Sequence, residues 1–405
     1  MKTIINRGGE SAGKSKGGNR IIISFMFASM LIFAISSTMI GIILPDMMED
    51  YDLNNIKVSL FSVSQSVGGI IAIPIEFLIA DRFPKLNQII LFFLLEVAVL
   101  ILIGLKPSFG TVLVLFALIG LITSFLNMLL SAYISEFSEN KMAGMNLLHG
   151  FFSLGSLLGP IYTGFILSRG QTWNTSFTIL GMVCFAIATA LIVLKAVLRP
   201  AEKVQGEANH SGQEFFKDIL HMLLDKRLFW LALFNCIFMS YQSGVVSWIA
   251  VYLQNGLGRD SALSSAALTL FWTGIMIGRF TEPLITKKIP FEKFLNISLL
   301  ISATGYTAVF ALRDSTLIIA MLVIAGILLG AVYPSVIAIA CRWFPDKSGT
   351  VTTSLGVFSY IIGTIMAFLI GGLMDRAGYN IGIMVLPALI LFSFFLFMKV
   401  SKISG

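Results

Sequence analysis

A small set of polar side chains interrupts the long apolar runs of this sequence, and their chemistry suits the binding of a small solute. The amides and the histidine carry hydrogen-bond donors and acceptors, which the hydroxyl groups of a polar solute require. Three aromatic side chains, Trp248, Tyr252 and Trp272, could stack on the apolar face of an amphipathic ligand. The polar candidates are Gln65, Asn127, Asn146, His149, Asn235, Gln242 and Tyr333. Each amide could equally hold two helices together through a hydrogen bond.

Two residues within the apolar runs are candidates for carrying a proton. His149 titrates near neutral pH when it is unperturbed, although it could equally donate a hydrogen bond to the solute. Glu96 is the one carboxylate that we expect well inside an apolar run. A carboxyl group in such surroundings favours its neutral form, so Glu96 could carry a proton or face the lipid boundary as a neutral acid.

Enzyme, metal and cofactor chemistry find no support in the sequence. The three cysteines show no metal-ligand or disulfide spacing and are interpreted as small packing residues. Gly8, Gly13, Lys14 and Ser15 match the spacing of a phosphate-binding loop, which works only between a strand and a helix of a nucleotide-binding domain. Here the match lies in a short polar segment. We therefore predict no enzyme activity, no cofactor and no metal.

The composition places the chain in a lipid bilayer. Of its 405 residues, 57% are hydrophobic and only 12% are charged, and the mean hydropathy is +0.90. A soluble domain carries about 25% charged residues. The net charge of +7 follows from the loops that flank the apolar runs, so it does not indicate nucleic-acid binding.

Twelve apolar runs are long enough to cross a bilayer as helices, which takes roughly 20 residues each. They are continuous and do not alternate as the strands of a membrane barrel would. The sequence therefore predicts an all-α membrane protein. The predicted spans are 21–44, 58–80, 86–105, 110–134, 142–168, 173–197, 228–254, 262–286, 293–312, 315–341, 350–374 and 379–398.

The distribution of lysine and arginine predicts the orientation of these spans. Basic residues concentrate in every second loop, and the rule that cytoplasmic loops are basic then places both termini in the cytoplasm. The membrane is expected to be the cell membrane (inner or plasma membrane). The predicted organisation is a cytoplasmic tail over 1–20, a first bundle over 21–198, a cytoplasmic linker over 199–227, a second bundle over 228–398 and a cytoplasmic tail over 399–405.

An internal repeat divides the twelve spans into two related halves of six. Gly120, Lys141 and Gly144 in the first half recur as Gly326, Lys347 and Gly349 in the second. Gly69 and Gly274, each followed by isoleucine, correspond in the same way. Such a repeat is typical of transporters that bind their substrate between two bundles near the middle of the membrane. Rocking of the bundles would then expose the site to each side in turn.

The loop after the second span resembles a signature of the major facilitator superfamily. Residues 80–85 read ADRFPK, which is similar to that family's cytoplasmic pattern of a glycine, an Asp-Arg pair, a glycine and basic residues. The resemblance implies that Asp81 and Arg82 form a conformational latch at a helix end of the other half. A simple charge pair at a helix end is the alternative. Arg279 and Glu282, in the eighth span, could pair with each other or gate the cytoplasmic side.

Within that superfamily the chain is most similar to the group of the fucose–proton symporter. Four segments carry this resemblance. Residues 146–152 read NLLHGFF, and 241–252 contain Tyr-Gln-Ser followed by Ser-Trp. Residues 271–281 begin with Phe-Trp-Thr-Gly, and the last segment is Tyr333-Pro334. Proton-coupled members, by this resemblance, use acids in the first and fourth spans. The corresponding positions of this sequence fall near Thr38 and within 124–127, where no residue titrates. We also count Thr38 among the predicted solute-binding residues.

The resemblance implies a secondary active or facilitative transporter of a small polar solute, a monosaccharide, with protons as a candidate coupling ion. Efflux of amphipathic drugs, lipids or metabolites is the alternative, since the many phenylalanines and methionines permit an adaptable apolar cavity. A third class is a sensor built on a transporter scaffold. The expected partners are the solute and the lipid bilayer, and the chain is expected to be a monomer.

Overall fold

The computed structural model describes residues 5–79, 82–138, 141–198, 224–344 and 348–404, and these ranges are helical apart from short connections. The first half contains α1 (Ile5–Thr38), α2 (Ile40–Asp50), α3 (Asn55–Ile79), α4 (Lys85–Gly104), α5 (Phe109–Phe137), α6 (Lys141–Ser168) and α7 (Trp173–Leu198). The second half contains α8 (Lys226–Val251), a π-helical turn (Tyr252–Gly256), α9 (Ser261–Ile285), α10 (Phe291–Leu312), α11 (Ser315–Leu329), α12 (Val332–Trp343), α13 (Ser348–Ala377), α14 (Tyr379–Ile383) and α15 (Val385–Ser404).

Within the described ranges, twelve helical segments are long and apolar enough to cross a membrane, which confirms the predicted fold class. We number these segments spans 1–12. Most are single helices, whereas span 1 joins α1 and α2, span 7 ends in the π-helical turn, span 10 joins α11 and α12, and span 12 joins α14 and α15. Spans 1–6 form the N bundle and spans 7–12 the C bundle. Both chain ends lie on one side, here called the termini side, and the opposite side is the far side.

One helix extends into a segment that the sequence predicts to be a tail. Helix α1 begins at Ile5, within the predicted cytoplasmic tail 1–20. Extending a helix that already exists costs less than nucleating one, so the apolar run can propagate its helix toward the chain end. Most of the predicted linker, residues 199–223, lies outside the described residues.

The end of that linker is tied to span 7. The Asp225 carboxylate accepts hydrogen bonds from the backbone N–H groups of Arg227, at 2.8 Å, and Leu228, at 3.4 Å, and so caps α8. The Arg227 side chain also bonds to this carboxylate, and these contacts lower the pKa of Asp225 below its usual value. The second bundle therefore starts from a charged helix cap at the termini side.

Both bundles contain the same close helix crossing. An ideal Cβ placed on Gly120 of span 4 would lie 1.8 Å from the backbone oxygen of Gln65 in span 2. An ideal Cβ on Gly326 of span 10 would lie 2.7 Å from the backbone oxygen of Phe271 in span 8. Only glycine permits such approaches, which is why small residues recur where membrane helices cross. Gly120 and Gly326, which correspond in the internal repeat of the sequence, therefore occupy equivalent places in the two bundles.

The two bundles are joined at the far side by one carboxylate. Asp375, near the end of span 11, accepts hydrogen bonds from the backbone N–H of Asn55, at 3.0 Å, from its side-chain Nδ2, at 2.7 Å, and from the backbone N–H of Ile56, at 2.9 Å. The first N–H groups of a helix have no partner within that helix and attract negative charge. Asp375 therefore caps span 2 of the N bundle from within the C bundle.

The close crossing in the N bundle can be tested by adding one methyl group. Gly120→Ala should lower the thermal unfolding temperature of the purified protein by several degrees, because overpacking against a backbone oxygen forces the helices apart and costs about 1–3 kcal/mol. Gly110→Ala is the matched control in the same helix, since nothing lies within 4 Å of an added Cβ there. Equal unfolding temperatures for the two variants would contradict this account of the packing.

The Asp375 contact should hold the far side closed. We expect Asp375→Ala to speed the labelling of a cysteine at Ser62, a cavity residue of span 2, by a membrane-impermeant maleimide applied from the far side. Asp314→Ala is the control, because Asp314 caps α11 through Thr316 and Leu317 entirely within the C bundle. If both variants label at the same rate, the carboxylate of Asp375 stabilises a helix end and nothing more.

Candidate solute-binding cavity

A cavity of about 440 Å³ lies between the two bundles. Its volume falls within the range of roughly 300–1,000 Å³ that is usual for small-molecule sites. The N bundle contributes Phe33, Ser37, Thr38, Ile40, Gly41, Ser62, Gln65, Ser66, Gly120, Thr123, Ser124, Asn127 and Phe152. The C bundle contributes Met239, Ser240, Gln242, Ser243, Gly244, Val246, Ser247, Trp248, Trp272, Ser359, Tyr360, Gly363, Ala367 and Ile370.

The wall of the cavity combines polar and apolar groups and carries no charged side chain. Hydroxyl groups come from both bundles, and the carboxamides come from spans 2, 4 and 7. Among the lining residues just named there is no aspartate, glutamate, lysine, arginine or histidine, and Tyr360 is the one that titrates. Such a wall offers many donors and acceptors but no fixed charge to select an ion.

The break in span 1 lies in this wall. The side-chain hydroxyls of Ser37 and Thr38 donate to the backbone oxygens of Phe33, at 3.0 Å, and Ala34, at 2.8 Å. Serine and threonine that bond back to the preceding turn in this way tend to bend helices. Helix α1 ends at Thr38 and α2 begins at Ile40, so the hydroxyls lie where the two helices of span 1 meet. The predicted residue Thr38 therefore lines the cavity.

Three predicted amides face the cavity without protein partners. Gln65, Asn127 and Gln242 make no hydrogen bond to any other residue in the described ranges. Amides that served only to join helices would bond to a neighbouring span. Their free donors and acceptors are therefore available to a solute, as we proposed from the sequence.

The two predicted tryptophans form the apolar part of the same wall. Trp248 of span 7 and Trp272 of span 8 are 1% and 7% exposed, and neither indole Nε1–H has an acceptor among the described residues. A buried donor without an acceptor costs free energy, which an acceptor on a bound solute would recover. Together the rings and their N–H groups present the mixed surface that an amphipathic solute needs.

Two predicted binding residues lie behind the wall. Asn235 is fully buried and donates from Nδ2 to the Ser359 hydroxyl at 3.1 Å, so it reaches the cavity only through that serine. Tyr252 is fully buried in the π-helical turn, where its hydroxyl donates to Asn380 at 3.0 Å and its ring packs edge-on against Phe310. Both residues hold helices together, and the expected stacking of Tyr252 on a solute is not what the structure shows.

Three more predicted residues cluster on the termini side of the cavity. Arg279 of span 8 donates from Nη1 to the Ser153 hydroxyl of span 5 at 2.5 Å. Its Nε donates to the backbone oxygen of Gly330 at 3.3 Å. His149 and Tyr333 lie within electrostatic range of the same guanidinium, and neither lines the cavity.

The Arg279 contacts follow from a break in span 10. Pro334 lacks the N–H that would have bonded to the oxygen of Gly330, which leaves this oxygen free for the guanidinium. The expected pairing with Glu282 is absent, since no carboxylate in the described part of the chain lies within 4 Å of Arg279. The guanidinium instead joins the two bundles, which agrees with the alternative of a gate.

The remaining predicted residues either lie away from the cavity or fall outside the part of the chain that the structure describes. Glu96 of span 3 is 1% exposed, and its nearest polar side chains, Ser36 and Cys184, belong to spans 1 and 6 and are not cavity residues. Arg82 is exposed beyond the end of span 2. Asp81 lies outside the described residues, and of Asn146 only the backbone is described. The described residues contain no group of three or more potential metal ligands.

Sequence reasoning missed the serines of the wall. Ser240, Ser243 and Ser247 line the cavity from span 7, and Ser62 and Ser66 line it from span 2. Their spacing of three and four residues places each set on one face of a helix. This periodic signal was available in the sequence, although single serines are common enough in membrane helices to escape notice.

Comparison with known proteins agrees with this architecture. The family model described as Major Facilitator Superfamily matches residues 26–351, and the chain belongs to this superfamily of membrane transporters. The chain is 20% identical over 368 residues to a TsgA homologue of Erwinia tasmaniensis, covering 89% of this chain and 91% of that protein. It is 24% identical over 288 residues to TsgA of Salmonella paratyphi C, covering 69% of each.

Solved structures show the same fold. A bacterial homologue of the human lysosomal transporter Spinster, in an inward-facing and unoccupied conformation, aligns with a TM-score of 0.77 at 14% identity, covering 95% of this chain and 97% of that one. A mutant of the nucleoside transporter NupG aligns with a TM-score of 0.76 at 11% identity, covering 93% and 98%. The predicted superfamily and fold are thereby confirmed.

Removing a free amide from the wall should weaken solute binding. Gln242→Ala removes side-chain hydrogen bonds worth about 0.5–1.5 kcal/mol each, so the apparent Kd of a bound solute should rise roughly two- to tenfold for each bond lost. The measurement is the concentration of solute that half-saturates thermal stabilisation of the purified protein. Tyr252→Phe is the control, because its hydroxyl bonds to Asn380 away from the cavity. Equal losses of affinity in both variants would place the solute elsewhere.

Proposed function

We propose that this transporter moves a small neutral polar solute, a monosaccharide, through the cavity between its two bundles by alternating access. The observation that carries the proposal is the uncharged wall in which Gln65, Asn127 and Gln242 have no hydrogen-bond partner among the residues that the structure describes. A sugar presents hydroxyl groups that both donate and accept, which carboxamides match. The indole rings of Trp248 and Trp272 would cover the apolar face of the sugar ring.

The proposal includes the orientation of the chain in the cell membrane and its oligomeric state. The basic residues of every second loop support a cytoplasmic location of the termini side, including the linker 199–227. The chain would work as a monomer, because each monomer contains both bundles and the whole cavity. No nucleic acid takes part.

Efflux of amphipathic compounds remains the second candidate, and one observation favours it. Phe33, Phe152 and Met239 also line the cavity, and together with the tryptophans they provide adaptable apolar surface. A drug or lipid would use this surface and leave the amides unpaired, which costs free energy. The amides therefore favour the sugar.

A ligand screen followed by transport separates the two candidates. The purified protein would be screened by thermal shift against monosaccharides, sugar acids, nucleosides and amphipathic drugs, since a ligand that binds the folded state raises its unfolding temperature. Nucleosides are included because NupG, which shares the fold, is named a nucleoside transporter. We expect a neutral monosaccharide to stabilise the protein and to enter proteoliposomes. Stabilisation by drugs alone, with no sugar uptake, would establish the efflux alternative.

Proton coupling through His149 is a prediction that the same proteoliposomes can test. If His149 carries the proton, His149→Gln should abolish accumulation of the sugar against its gradient and spare the exchange of labelled for unlabelled sugar. The structure places His149 beside Arg279 and outside the cavity wall, where a second positive charge is unfavourable. Unchanged accumulation in the variant would remove His149 from the mechanism.

A further inference from the structure

A second carboxylate, that of Glu76, lies at the end of a span, behind two residues of the cavity wall. Glu76 belongs to span 2, near its end on the termini side, and is half-buried. Its Oε1 is buried and has no hydrogen-bond partner among the described residues. No lysine, arginine or histidine in those ranges lies within 4 Å of its carboxylate. Glu96, the carboxylate that we expect well inside a span, is therefore not the only carboxylate of the described spans without a cation beside it.

The neighbours of Glu76 connect it to the cavity from both bundles. The hydroxyl of Ser124, on span 4 of the N bundle, faces the carboxyl group. The phenol of Tyr360, on span 11 of the C bundle, lies within electrostatic range of it. Both Ser124 and Tyr360 line the cavity. By contrast, Ser36 and Cys184, which face Glu96, do not.

Tyr360 packs across the interface between the bundles. Its ring atoms lie 3.1 Å from an ideal Cβ on Gly69, which is seven residues before Glu76 and therefore on nearly the same face of span 2. Beyond Tyr360, the row of titratable groups continues through Tyr333 toward Arg279 of span 8. The groups that face Glu76 are thus a hydroxyl from span 4 and a phenol from span 11, with no cation beside it in the described ranges.

We infer that Glu76 is the proton-binding group of this transporter, and that it binds and releases its proton through the wall shared with the solute. An unpaired carboxylate in a low-dielectric wall is stabilised by taking up a proton. Separation of the bundles would move Tyr360 away from span 2 and open Glu76 to water on the termini side, where the proton leaves. Ser124 joins the two events, because its hydroxyl faces the carboxyl group and the residue lines the cavity.

This inference rests on the proposed function for its coupling step, but the proton site has a test of its own. Difference infrared spectra of the purified protein between acidic and alkaline pH should show the carbonyl band of a protonated carboxylic acid. We expect Glu76→Gln to remove one component of that band, and Glu96→Gln and Glu282→Gln, at the termini-side end of span 8, to leave that component in place. If the whole band of the parent protein persists in Glu76→Gln, the assignment of the proton to Glu76 is overturned, whatever the solute is.

Transport then tests the coupling. In proteoliposomes with an imposed pH gradient, Glu76→Gln should lose at least tenfold of the gradient-driven accumulation of the sugar while still exchanging labelled for unlabelled sugar. Glu96→Gln and His149→Gln should accumulate the sugar as the parent protein does. Loss of accumulation in Glu96→Gln or His149→Gln, with Glu76→Gln unaffected, would assign coupling to that residue instead. If the parent transports no sugar but the infrared result holds, the proposed substrate fails and the proton site stands.

Discussion

The structure depends on one constraint, which is that hydrocarbon offers no hydrogen bonds to a polar group. Every backbone and side-chain group within the membrane must be satisfied by the protein or must face a cavity. The break in span 10 follows that rule. Pro334 leaves the oxygen of Gly330 without its helical partner, and the guanidinium of Arg279 takes its place.

The same constraint explains how the two bundles are joined. Asp375 pairs with the unbonded N–H groups at the start of span 2 on the far side. Arg279 pairs with Ser153 of span 5 on the termini side. These two polar contacts lie at opposite ends of the interface, which also contains close helix packing: an ideal Cβ on Gly41 of span 1 would lie 2.0 Å from the backbone oxygen of Val246 in span 7. In the proposed rocking motion, the contacts between the bundles would exchange.

Charge is arranged around the cavity and not within its wall. The lining residues present hydroxyls, amides and indoles, while Arg279 and Glu76 stand just beyond the wall on the termini side. A neutral wall suits a neutral solute, because a fixed charge would need a counter-charge in the low-dielectric interior. In the proposed mechanism, the carboxyl group of Glu76 beyond the wall would hold a proton without placing charge against the solute.

The sequence by itself determined the class of fold, because the length and composition of apolar runs decide how often a chain crosses a bilayer. Thr38, Gln65, Asn127, Gln242, Trp248 and Trp272 could also be selected as wall residues from their chemistry alone. Only the tertiary structure decided that Asn235 and Tyr252 face protein partners. It also decided that the groups facing Glu76 line the cavity, whereas those facing Glu96 do not. Periodicity shows that a residue lies on a helix, whereas the rotation of that helix against its neighbours determines which polar groups meet. That rotation is set by contacts between distant segments, such as Gly120 on Gln65, which no single stretch of sequence contains.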